Sequence, residues 1–202
     1  MIIQLEVGPI KNLSYIIFDE VTKEGALIDP GFESEKILKT IRDNQIKIKY
    51  ILLTHVHIDH VSEILNIQKN LSAETFLGEY EVDSNVYGKS IGESEILSIG
   101  EQEIQVIETP GHTAGGLSFL YNNQYLFTGD TVFCKGIIGR TDLYGGDEDE
   151  LKRSIGKLMK LPEDIFVCPG HNYEGKKSTI KNEKEYHSTN IKGKFLDFFS
   201  KK

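Results

Sequence analysis

The sequence predicts one mixed α/β domain over residues 1–202, and three observations lead there. Short β-branched runs alternate with stretches of helical period along the chain. No Pro/Gly/Ser linker or low-complexity tract divides them. The composition, 39% hydrophobic and 27% charged, is ordinary for a folded protein, and 202 residues suffice for one domain with a sizeable core.

Taken in order, residues 14–18 read as a strand and residues 25–28 as its hairpin partner, followed by Asp29-Pro30-Gly31, a strong turn signal. Ile37, Leu38 and Ile41 then recur at helical spacing behind Ser34, a suitable N-cap. Residues 49–53 have the pattern of a buried strand and end in Thr54-His55-Val56-His57-Ile58-Asp59-His60. Val61, Ile64, Leu65 and Gln68 keep a helical period and predict a helix after that motif. Further strands are expected at residues 75–77, 104–107, 117–120, 125–127 and 165–168, whereas residues 79–98 carry a pattern too weak to assign. Asp147-Glu148-Asp149-Glu150 reads as a capping box, with Asp147 at N-cap and Glu150 at N3. The helix it opens should bury Leu151, Ile155 and Leu158, and a last helix is expected to start near Ser178-Thr179.

The net charge of -8 argues against a nucleic-acid surface, which usually has a basic face. Lys176, Lys177, Lys181 and Lys184 are interleaved with Glu183 and Glu185, the pattern of a solvated helix face. No apolar run approaches the ~20 residues that span a bilayer. The start, Met1-Ile2-Ile3-Gln4-Leu5-Glu6, lacks the basic and long apolar regions of a signal peptide. A soluble cytoplasmic protein without membrane or nucleic-acid partners is the expectation. Cys134 and Cys168 lie far apart in apolar contexts, outside any CxxC motif, and read as small buried hydrophobes of a reducing compartment. Each also lies close to a candidate site residue and could line a pocket.

Chemistry concentrates in a few places. His55, His57, Asp59 and His60 fall within six positions directly after a strand. Two other predicted strands end in one tripeptide, Pro110-Gly111-His112 and Pro169-Gly170-His171, which sets an imidazole on a sharp turn. Five of the six histidines therefore sit in this loop or these turns. The bland alternative is a polar loop that happens to be histidine-rich. Clustered imidazoles and carboxylates are better explained by a divalent cation, since these donors suit zinc, iron or manganese. Positions 55 and 57 can converge on one ion, and positions 59 and 60 can face a second.

The segment His55-Val56-His57-Ile58-Asp59-His60 resembles the HxHxDH signature of the metallo-β-lactamase superfamily. Gly111-His112-Thr113, Gly129-Asp130-Thr131 and Gly170-His171 follow in the family's order, so the resemblance spans nearly the whole chain. It implies a four-layer αβ/βα sandwich, with His55, His57 and His112 on a first metal and Asp59, His60 and His171 on a second. Asp130 would bridge the two. The cofactors implied are two divalent ions, zinc foremost, with iron or a mixed pair as alternatives. Such a pair lowers the pKa of a shared water from about 15.7 toward about 7, giving hydroxide to attack a carbonyl, with Asp59 orienting the nucleophile. No G-x-S-x-G elbow suggests a serine mechanism.

Within the family, Phe127-Thr128-Gly129-Asp130-Thr131-Val132-Phe133 and Gly139-Arg140-Thr141-Asp142-Leu143 are similar to the glyoxalase II-like hydrolases, which cleave hydroxyacyl-glutathione thioesters. The resemblance makes Arg140, Tyr144 and Tyr173 candidate contacts for a small acyl-thiol substrate. Arg140 could instead pair with Asp142 and brace the loop beneath the metals, and Tyr173 could serve in packing. Only 31 residues follow His171, which resembles the short single-domain members and separates the chain from those with a helical glutathione-binding domain. Persulfide dioxygenases are the rival branch. They share the Gly-Arg-Thr-Asp segment and an ending similar to His171-Asn172-Tyr173-Glu174-Gly175, Ser178-Thr179-Ile180 and Glu183, and hold one iron at positions matching His55, His112 and Asp130. Gly145-Gly146-Asp147 after the Arg140 segment looks more like the short hydrolases. His at position 57 departs from the flavodiiron proteins, which place Glu there. His187 lies outside every motif and is expected to be dispensable.

Overall fold

A computed structural model describes residues 1–81 and 86–189. Two six-stranded sheets carry the chain's apolar residues in three layers. The first sheet runs β1 (Ile2–Val7), β2 (Asn12–Phe18), β3 (Glu24–Ile28), β4 (Lys47–Leu52), β5 (Glu74–Leu77) and β6 (Lys89–Ser90) in chain order. Its first three strands are antiparallel and the rest parallel. The parallel steps are made possible by crossover helices, α1 (Ser34–Asp43) between β3 and β4, and α2 (Ile58–Val61) with α3 (Ile64–Asn70) between β4 and β5. The second sheet has the order β12 (Ser178–Thr179), β11 (Phe166–Pro169), β10 (Tyr125–Gly129), β9 (Leu117–Tyr121), β8 (Gln102–Glu108) and β7 (Ile96–Ile99). Helix α4 (Glu148–Leu158) crosses over between the parallel pair β10 and β11, and α5 (Ile180–Thr189) follows β12.

Strand alternation sorts the side chains into layers. Leu13, Tyr15 and Ile17 of β2 meet Ile104 and Val106 of β8 and Phe119 of β9 between the sheets. The opposite face of the first sheet, including Ile16, Leu27 and Ile51, packs on Ile37, Leu38 and Ile41 of α1 and Ile64 and Ile67 of α3. Leu120, Leu126 and Val167 of the second sheet pack on Leu151, Ile155 and Leu158 of α4 and Ile180 of α5. The result is the αβ/βα sandwich that the resemblance implies.

Three local expectations need correction. Ser34 is the first helical residue, and Glu33, in the left-handed region at φ 54°, precedes it as N-cap without a side-chain bond. The Ser34 hydroxyl instead accepts from Asn66 Nδ2 at 2.7 Å and ties α1 to α3. The helix expected after His60 begins at Ile58, inside the motif, and breaks at Ser62-Glu63, where the Ser62 hydroxyl donates to the Gly31 carbonyl. Its buried stripe is accordingly Val61, Ile64 and Ile67, with Leu65 exposed. Asp147 caps α4 by accepting the Glu150 N–H at 2.8 Å, but the reciprocal half of the box is absent, because the Asp147 N–H goes to the Gly111 carbonyl and Glu150 pairs with Arg153. Ser178 and Thr179 form β12, and the last helix starts one residue later. Among the described residues no helix is long and apolar enough to cross a membrane.

Candidate metal centre

Strand ends, the turns after them and the short helix α2 deliver the residues of the centre. His55 and His57 follow β4, His112 follows β8, Asp130 follows β10 and His171 follows β11, while Asp59 and His60 ride on α2. Backbone bonds join the two sheets at this edge, from Leu117 N–H to the Thr54 carbonyl at 2.7 Å and from Leu13 N–H to the Gly170 carbonyl at 2.8 Å. Gly170 must be glycine for the site to close. A Cβ there would stand 2.3 Å from Asp130 Oδ1.

All seven side chains named from the sequence meet at this edge. The donor atoms of His55, His57 and His112 lie within 4.8 Å of one another, as do those of Asp59, His60 and His171. Asp130 stands between the two sets. Its Oδ1 is 3.3 Å from His60 Nε2, and its Oδ2 is 3.4 Å from His171 Nε2 and 3.7 Å from His112 Nε2.

The outer hydrogen bonds fix which nitrogen faces inward. His112 Nδ1 meets the Arg140 carbonyl at 2.7 Å and His171 Nδ1 the Ile10 carbonyl at 3.0 Å. A carbonyl only accepts, so both Nδ1 atoms carry hydrogen and the Nε2 atoms are the ones that face the centre. Asp29 Oδ2 accepts from His60 Nδ1 at 3.0 Å and from the Thr54 hydroxyl at 2.6 Å. That hydroxyl, its proton committed, accepts from His55 Nδ1 at 3.0 Å. In the neutral forms that bind metal, the lone pairs of His60 and His171 Nε2 point at each other across 3.3 Å. Buried and without a hydrogen-bond partner are His55 Nε2 and Asp130 Oδ1. Lone pairs converging on buried space repel unless a cation lies among them, so this donor set fits divalent metal.

Electrostatics divides the centre. Burial, reinforced by neighbouring histidines, pushes His55 well down and His57 to about 4. Burial also works to lower His60 and His171, but Asp130 and the other carboxylates outweigh it, raising His60 and bringing His171 to about 9. Burial opposes ionisation of Asp59, yet His171 and His60 hold it at about 2.

The other candidates fare unequally. Arg140 makes a bidentate pair with Asp142, Nε to Oδ1 at 2.7 Å and Nη2 to Oδ2 at 2.6 Å, which is the bracing arrangement. Tyr144 is fully exposed. The Tyr173 ring stacks on His171, centroids 4.7 Å apart and planes 4° from parallel, and also packs on Phe133. Both cysteines are buried free thiols, and burial raises Cys134 to about 11 and Cys168 to about 12. Sequence reasoning missed Asp29, Thr54, Asn12 and Glu81. Asn12 Nδ2 donates to Asp59 Oδ2 at 2.9 Å, and Glu81 bonds the two loops that carry His55, His57 and His112. Asp29 reads as a turn residue because it is one, with φ 48°. Its carboxylate role leaves no trace in the spacing.

Residues 7–171 match the metallo-beta-lactamase superfamily, and the chain belongs to that family. Fold, donor set and membership together describe a metallo-hydrolase of the superfamily. The hydroxyacylglutathione hydrolase GloC of Haemophilus influenzae is 33% identical over 207 residues, covering 89% of this chain and 94% of that one. The probable polyketide biosynthesis zinc-dependent hydrolase PksB of Bacillus subtilis is 32% identical, covering 92% and 86%. The crystal structure of ETHE1 from Myxococcus xanthus superposes with a TM-score of 0.84 at 29% identity, covering 92% and 82%.

Proposed function

We propose that the protein is a binuclear metallo-hydrolase that cleaves a small acyl-thioester. The observation that carries this reading is the position of Asp130, within 3.3–3.7 Å of imidazole nitrogens from both donor sets, where one carboxylate can serve two cations. His55, His57 and His112 would hold the first ion and Asp59, His60 and His171 the second. Two bound divalent ions, zinc or iron or a mixed pair, would supply an acidified water and a polarised carbonyl. Asp59, with Oδ2 held by Asn12, leaves its other oxygen to orient the attacking water and take its proton. Tyr173, whose ring stacks flat on that of His171, can form part of the substrate pocket wall. Arg140, gripped by Asp142 and positioned beside His112 through its carbonyl, can face the thiol portion of the substrate. The kinship with GloC and PksB supports hydrolysis, and the net charge of -8 favours a small molecule over nucleic acid or an anionic membrane.

A second reading follows from the ending around Asn172, Tyr173 and Glu183 and from the likeness to ETHE1, namely oxidation of a persulfide at one iron held by His55, His112 and Asp130. The deciding experiment is metal analysis of untagged protein purified without chelator or oxygen, followed by thiol release from a panel of acyl-thioesters. Two metals per chain with thioester cleavage is the expected result. One iron per chain, with oxygen uptake on a persulfide and no thioester cleavage, would overturn it.

A further inference from the structure

Glu81 lies outside every motif, yet it is 6% exposed, and a buried carboxylate is costly unless its oxygens are well bonded. Its partners are three neutral donors from two loops. Oε2 accepts the Val56 N–H at 3.0 Å. Oε1 accepts the Gly115 N–H at 3.1 Å and the Thr113 hydroxyl. Val56 stands between His55 and His57, and Thr113 directly follows His112. The carboxylate therefore fastens the loop bearing two of the first set's histidines to the loop bearing the third. The backbones are built to let it reach. A Cβ on Gly78 would stand 1.9 Å from the Gly115 carbonyl oxygen, and one on Gly115 would stand 2.7 Å from Glu81 N.

We infer that Glu81 is a positioning residue for the three-histidine half of the centre, setting the separation of His55 and His57 from His112 without touching the ion. The inference rests on the binuclear reading above. Its reach is one-sided, because Asp59, His60 and His171 are held by Asn12, Asp29 and the Ile10 carbonyl instead. Glu81→Gln is the sharp variant. An amide oxygen can keep two of the donors, but the NH2 group must then face the third, donor against donor.

The experiment is zinc binding by chelator competition, with each half isolated in turn. In a His171→Ala background, which leaves the three-histidine half, Glu81→Gln should weaken zinc about 10–100-fold, the range typical of lost outer hydrogen bonds. In a His57→Ala background, which leaves the other half, it should change zinc affinity less than twofold. Equal losses in both backgrounds would make Glu81 a general structural residue and overturn the inference, as would no loss in either. If Glu81→Gln does not fold, Thr113→Val removes one donor and should give a smaller loss confined to the same background, and an unconfined loss again overturns it. Wild-type protein that takes up no zinc would overturn the centre itself, and Glu81's role with it.

Discussion

The two halves of the centre hold the same kind of ligand by different means. In the half made by Asp59, His60 and His171, side chains do much of the holding. Asn12 bonds Asp59, the Asp29 carboxylate takes the His60 proton-bearing nitrogen, and Tyr173 lies flat on His171. In the three-histidine half the rings are placed largely by their loops, through the Thr54 hydroxyl, the Arg140 carbonyl and the Glu81 clamp. The charge balance differs too. Burial lowers the pKa of His55 and His57, while nearby carboxylates raise that of His60 and His171 against the same burial. The difference teaches that the ligands of one half are held mainly one by one, by side chains of their own, and those of the other largely through the loops that carry them, so substitutions should divide between them.

The largest effect is expected where the halves meet. Asp130→Ala removes the carboxylate that approaches His60, His112 and His171. It should abolish turnover and lower metal content in both halves, a greater loss than the roughly 10–100-fold typical of an outer hydrogen bond. Metal analysis and a turnover assay check this, and full activity in the variant would sink the site assignment.

Next comes Asp29→Asn, which probes the side-chain-held half. An asparagine keeps one acceptor oxygen, yet Asp29 receives the Thr54 N–H and hydroxyl as well as His60 Nδ1. One of these donors must lose its acceptor. Zinc affinity of the half containing His60 should fall about 10–100-fold, with a smaller loss in the other half, because Thr54 relays the restraint to His55. Chelator competition in the same two backgrounds measures both. An identical loss in the two halves would erase the contrast drawn here.

How much of this was legible beforehand follows from the same physics. The seven candidate ligands are readable because their chemistry writes itself into short motifs at strand ends, where the chain must turn and the side chains must converge. The α4 stripe of Leu151, Ile155 and Leu158 is readable for a similar reason, since burial imposes the period. Asp29, Asn12 and Glu81 are not, because a residue that bonds a ligand from another strand carries no spacing relation to it. Asn12 and Asp59 are 47 positions apart. Glu81 sits in the stretch whose pattern is weakest. The break between α2 and α3 is hidden by a helical period that continues through it; at the break the Ser62 hydroxyl donates to the Gly31 carbonyl.

Arg140 gives the smallest expected effect on the metals and the finest test of the comparison. Its side chain is engaged with Asp142, but what reaches His112 is its carbonyl, 2.7 Å from Nδ1. A carbonyl survives any side-chain substitution. Arg140→Ala should therefore leave zinc affinity in the three-histidine half within about twofold, in contrast to Asp29→Asn, where the bonding atom itself is changed. If the guanidinium also faces the substrate, KM for the thioester should rise several-fold with kcat little altered, the pattern of lost ground-state binding. A tenfold loss of zinc would mean that the Arg140–Asp142 pair, not the backbone, sets the His112 ring, and the contrast between a half held by its own side chains and one held through its loops would fail at the residue where it is most directly exposed.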